Sequence, residues 1–185
     1  MITKLLSFDK DGNGVAHDYG NIFELEQRDQ FDRLVIGATS DHIDLITRMT
    51  EELIPPFFIL YVLVFPRLGN KEGRYQSPLI PSREILIGFL RHFREYFEMD
   101  GRHHIWIGTI NNNGKLVYDH HNLIFAYGPV MKWKNELINK GFKEEKISCP
   151  SPHTHYFTFK YDQYEDEILN YWEWGYFELM DSEYD

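Results

Sequence analysis

Nine consecutive apolar residues, Phe57 to Phe65, stand between the pair Pro55-Pro56 and Pro66. Prolines at both borders stop a helix from running through, and the run is far shorter than the roughly 20 residues that a membrane-spanning helix requires. Its β-branched and aromatic content predicts a central strand buried on both faces.

Two hairpins are written around it. Lys4 to Phe8 and Val15 to Tyr19 flank the turn residues Asp9 to Gly14, where Asp-Gly and Asn-Gly supply the positive φ of tight turns. The stretches His104 to Ile110 and Lys115 to Asp119 flank Asn112-Asn113-Gly114 in the same way, with Leu123 to Tyr127 as a third strand. The segment from Asn21 to Gly37 fits either element. Helical spacing of apolar residues appears from about Asp41 to Leu53, from Pro81-Ser82 through Phe97, and from Val130 to Lys140, where Gly141 is placed to end the helix in a left-handed turn. Leu68 to Ser77 reads as an exposed loop and Thr154 to Tyr161 as a late strand. Asp162 and Glu165 have capping-box spacing, which starts a fourth helix through about Trp172. Helices and hairpins do not alternate as βαβ units, so the expected class is α+β: a single domain, 1–185, with a mostly antiparallel sheet and about four helices.

At 185 residues, 43% hydrophobic, the chain can bury one sizeable core. A net charge of −10 excludes a phosphate backbone as the main partner and makes a basic protein the natural complement. The lone cysteine, Cys149, excludes an internal disulfide. With no secretory pattern at the N-terminus and no spanning run, the expected location is cytoplasmic, without membrane contact.

Three motifs carry possible chemistry. Asp9, Asp11, Asn13 and Gly14 match positions one, three, five and six of a calcium-binding EF-hand loop, but position twelve is Gly20, which cannot close the coordination shell; a plain hairpin turn is the better reading. Six of the nine histidines form three pairs: His103-His104, His120-His121, and His153 with His155. On a strand His153 and His155 point the same way, as do Asp119 and His121, so Asp119, His121, His153 and His155 make a candidate zinc set for a metal-dependent hydrolase. Cys149, four residues before His153, could pair with it as a nucleophile, though it lacks any recognisable context. Arg67, Lys71, Arg74, Arg83, Arg91 and Arg94 could clamp an anion or face the acidic residues of the chain itself.

Nearly the whole net charge sits in the last twenty-five residues, 161–185, which hold nine acidic side chains, eight aromatic ones and no Lys or Arg. Ile168 and Trp172 share a helical face and are expected to dock, leaving Glu173, Trp174, Tyr176, Phe177, Glu178 and Asp181 as the candidate partner surface. In its acidic residues Asp162, Glu165, Asp166, Glu167, Glu173 and Glu178, interleaved with aromatic rings, this segment resembles the small acidic bacterial toxin-immunity proteins. The resemblance implies a cofactor-free binding protein, more inhibitor than enzyme, that covers a basic toxin through steering carboxylates and buried rings. A structural or regulatory domain is the third reading.

Overall fold

The computed structural model describes residues 4–180. Among these residues, twelve strands and five α-helices build one α+β domain around two sheets. The first hairpin, β1 (Leu5–Phe8) and β2 (Gly14–Ala16), forms as its turn chemistry predicts, with the Asp9 carboxylate accepting from the Asp11 and Asn13 amides at 2.9 and 2.8 Å. The ambiguous segment becomes the antiparallel pair β3 (Ile22–Glu26) and β4 (Arg33–Gly37). After α1 (His42–Met49) and a 3-10 turn comes β5 (Phe57–Leu63), an interior strand hydrogen-bonded to a neighbour along each edge.

Its alternation is asymmetric. Phe57, Ile59, Tyr61 and Leu63 are fully buried on one face, whereas Phe58 and Leu60 on the other are only half-buried. The expected burial on both faces therefore holds completely for one face alone. The supposed loop 68–77 contains β6 (Gly73–Gln76), because an interior strand needs a hydrogen-bonded neighbour along its second edge as well. The long helix after Ser82 is two helices, α2 (Arg83–His92) and α3 (Arg94–Met99), separated at Phe93. The Phe93 ring is buried between those of Phe89 and Phe97, at 5.0 and 6.0 Å.

The second predicted hairpin and third strand are β7 (His103–Thr109), β8 (Lys115–Tyr118) and β9 (Ile124–Tyr127). They are followed by α4 (Val130–Asn139), which ends at Gly141 with φ +86°. With β10 (Lys143–Glu144) and β12 (Gly175–Phe177), the large sheet has nine strands in the order β10-β3-β4-β9-β8-β7-β5-β6-β12, all antiparallel except the β10–β3 pair. Residues from all five helices, Ile168 of α5 (Asp162–Leu169) among them, join one hydrophobic cluster against a single sheet face. No helix among the described residues is long and apolar enough to cross a membrane.

The opposite face is served by the smaller sheet, order β11-β1-β2, in which β11 (His153–His155) pairs antiparallel with β1. A second cluster of Leu5, Tyr19, Val35 and Leu123 fills the space beneath it. The strand expected over 154–161 stops at His155. Thr158 diverts the chain, its hydroxyl accepting from the Lys160 amide and its carbonyl accepting from Arg102 Nη2 at 3.0 Å.

Candidate metal centre

Strand alternation sends the two members of the first histidine pair to opposite sides. His103 packs into the helix-covered core, stacked on Tyr96 at 4.4 Å, while His104 faces the other side and meets His120 at 4.3 Å between ring centroids. His120 and His121 lie in the tight turn between β8 and β9, which closes through the Asp119 amide to the Leu123 carbonyl and carries Asn122 at φ +67°. In a turn, neighbouring side chains need not diverge as they do on a strand. Both imidazoles accordingly reach the β11 histidines: His120 to His155 at 4.0 Å, His121 to His155 at 4.9 Å, and His121 to His153 at 5.1 Å.

Two ligand triads result. In one, His120, His121 and His155 bring a ring nitrogen each within 4.8 Å of one another; in the other, His121, Cys149 and His153 do the same with two nitrogens and a thiol. Tetrahedral zinc at its usual bond lengths separates its ligand atoms by about 3.4 Å, so small side-chain rotations complete either shell.

The hydrogen bonds around the rings set their tautomers. His121 Nδ1 donates to Asp119 Oδ2 at 3.0 Å, His153 Nδ1 to the Pro150 carbonyl at 2.8 Å, and His155 Nδ1 to the His120 carbonyl at 3.2 Å. Each acceptor is an oxygen, so each Nδ1 carries the proton and each Nε2 keeps the lone pair a metal needs. Asp119 is spoken for, one oxygen by His121 and the other by the Leu123 amide at 2.9 Å. Burial alone would raise its carboxyl, but the His121 bond and the surrounding imidazoles hold it below the usual range. Asp119, one of the four residues grouped from the sequence, is in neither triad and is hydrogen-bonded to His121, a member of both.

His120 is only 1% exposed, and neither of its nitrogens has a hydrogen-bond partner among the described residues. Burial pushes its pKa far below the ordinary imidazole value, and pushes those of His104 and His155 down to about 4, helped by repulsion from neighbouring histidines. The rings are therefore neutral and ready to ligate. The sequence pattern pointed to His121, His153 and His155 but passed over His120, whose contribution depends on a turn that periodicity does not register. Burial also pushes the Cys149 thiol up, so it carries its proton at neutral pH; it lies beside His153, Sγ to Nδ1 3.9 Å, with no sign of an activated nucleophile.

Among the described residues, the first part of the acidic terminus is absorbed by the fold. The Asp162 and Glu165 carboxylates make no capping box, because α5 starts after Tyr161 and both carboxylates turn to arginines. Glu165, fully buried, accepts from Arg102 Nη1 at 3.0 Å and Asn70 Nδ2 at 2.9 Å, and Asp162 from Arg67 Nε at 2.9 Å. Trp172 stacks on Phe89 at 4.5 Å, and Trp174 Nε1 donates to the Ile168 carbonyl at 2.8 Å. Tyr176 fits over Gly73, where any Cβ would collide with its ring, beneath the Lys71 ammonium at 4.3 Å. Glu173, Tyr176, Phe177 and Glu178 remain exposed along β12 and its flanks, while Asp181 lies outside the described residues.

The basic residues do not form one clamp. Arg67 pairs with Asp162, Arg94 with Asp41 and Asp44, and Arg83 with Glu51; Arg83 and Arg91 line a cleft of about 590 Å³ between α1, α2 and the end of α4 that shares no residue with the histidine centre. No protein-family model matches the chain, and neither a curated protein nor a solved structure matches it.

Proposed function

We propose that the protein binds a borderline-soft divalent ion of the zinc class through His120, His121 and His155, and that the ion ties the small sheet to the β8–β9 turn of the large one. The observation that carries this reading is His120, a fully buried imidazole with two unsatisfied nitrogens in the middle of a histidine cluster. Left without a partner, such a group costs about 1–3 kcal/mol, and metal ligation removes the penalty for one nitrogen. Nitrogen and sulfur donors favour zinc, cobalt, nickel or copper over magnesium or calcium, which prefer oxygen. The oxygen acceptors that hold the Nδ1 atoms of His121, His153 and His155, namely the Asp119 carboxylate and the Pro150 and His120 carbonyls, are the outer contacts that metal-binding histidines require.

Metal analysis of the full chain after zinc loading and desalting tests it. One equivalent is expected, lost in His121→Ala, which removes the residue common to both triads, and kept in His92→Ala, since His92 is exposed on α2 beside Glu167. A wild-type chain that retains no zinc, or a His121→Ala chain that retains it fully, sinks the proposal. The fourth position of a three-histidine site suits a water, so metal-dependent hydrolysis stays within its chemistry.

A second reading rests on the exposed outer side of β12, where Tyr176 and Phe177 are 38% and 48% exposed next to Glu173 and Glu178. It is a basic cytoplasmic protein partner, the toxin enzyme of the immunity-type resemblance being one case. Charge reversal of Glu173 and Glu178 would then slow association in low salt; unchanged rates against every captured partner would end it.

A further inference from the structure

The two triads share one residue. His121 belongs to both, yet its Nδ1–H is held by Asp119, so it has a single lone pair and can serve one ion at a time. The triads also differ in depth. His120, in the first, is buried, whereas Cys149, in the second, is exposed and in no disulfide. A single crowded shell of five ligands would exceed what zinc accepts, since its protein sites are almost always four-coordinate.

Resting on the proposed metal reading, we infer that the centre is a two-position relay, in which Cys149, His121 and His153 capture a thiophilic divalent ion at the surface and pass it inward to His120, His121 and His155. In capture, three metal–water bonds give way to bonds to Cys149 Sγ and to one ring nitrogen each of His121 and His153, and the Cys149 thiol releases its proton to solvent. In transfer, the bonds to Cys149 and His153 break while bonds to His120 and His155 form, and the thiolate recovers a proton from water. His121 stays bonded throughout as the pivot. No electron changes hands. Thiolate suits the outer position because it binds zinc-class ions quickly and tightly from dilute solution, whereas three imidazoles beneath it leave an ion less exposed to competing thiols.

Cobalt(II) added to the full-length chain in a stopped-flow spectrophotometer is the test, because a cobalt–thiolate bond gives near-ultraviolet charge-transfer absorption that a nitrogen-only site lacks. For the wild type, thiolate absorption should rise and then decay as the visible bands of a nitrogen-only site grow, finishing at one cobalt per chain. In Cys149→Ser, an exposed and conservative change that leaves the fold intact, the final spectrum and stoichiometry should persist while loading slows by at least tenfold. In His155→Gln, the ion should stop at the outer position with lasting thiolate absorption. The relay is overturned if the wild-type end state keeps thiolate absorption, if none appears at any time, or if Cys149→Ser loads as fast as wild type. A wild type that takes up no cobalt at all would instead remove the metal reading on which the relay rests.

Discussion

Removing the Arg102 side chain should destabilise the protein more than any exposed charge change. Arg102 is fully buried, and its guanidinium donates to Asp100 at 2.8 and 2.9 Å, to Glu165 at 3.0 Å and to the Thr158 carbonyl at 3.0 Å, with Asp162 also at 3.0 Å. Arg102→Met keeps much of the volume but strands two fully buried carboxylates. Glu165 retains Asn70 and the Arg67 amide, and Asp100 retains only backbone amides. Breaking one side of such a buried network costs about 3–5 kcal/mol, which for a chain of this length lowers Tm by about 6–20 °C. The sign with pH is fixed as well. Burial already holds the Asp100 carboxyl above its usual range despite Arg102, and loss of the cation raises it further. A raised carboxyl favours the fold below its unfolded pKa and loses that contribution as pH rises through the folded value, so the variant's deficit should shrink on acidification. Urea titrations of wild type and variant at neutral and acidic pH measure it, with Arg28→Met, a half-exposed pair with Glu26, as a control expected to cost under about 1 kcal/mol. A deficit for Arg102→Met below about 1 kcal/mol, or one that grows in acid, would refute the reasoning.

The buried hydroxyls of Tyr61 and Tyr96 share one hydrogen bond at 2.8 Å. Either Tyr→Phe change alone should cost about 1–3 kcal/mol, with the double change costing clearly less than the sum, as a denaturation cycle would report. Asp119→Asn should weaken zinc binding about 10–100-fold in a competition titration, because a neutral amide orients and polarises His121 less well; unchanged affinity would mean that Asp119 is incidental. In the presence of a chelator, the imidazoles of His42, His104 and His155, held by burial at about 3, 4 and 4 against an ordinary 6.5, favour the fold only while neutral. Their contribution is present above about pH 6.5 and lost as pH falls toward 4, so denaturant midpoints should drop across that window.

Local signals were the ones the sequence carried well. The hairpin turns at Asp9 to Gly14 and Asn112 to Gly114, the apolar run from Phe57 and the Gly141 stop all depend on neighbours in the chain, and each appears where expected. What failed depended on distant partners. The late strand loses its pairing after His155 and gives way to a 3-10 turn beyond Thr158, whose carbonyl Arg102 takes, and Asp162 and Glu165 abandon a local cap for arginines of other elements. The histidine pairs were visible as pairs, and the shared face of His153 and His155 followed from strand geometry. That His120 joins them and His103 leaves required knowing which side of the large sheet the small one covers.

The small sheet has a consequence for the order in which the protein comes together. Leu5 pairs with His155 and Ser7 with His153, so the strand that supports the histidines is held by a segment from the other extremity of the described chain. During vectorial synthesis the interior strands from Ile22 to Tyr127 can find one another first, while β1 waits with its edge unsatisfied for β11 to emerge. Closing that long loop is entropically the slowest kind of contact to make. The histidine centre is thus among the last places to be assembled, and its readiness for an ion reports that the rest of the protein is already in place.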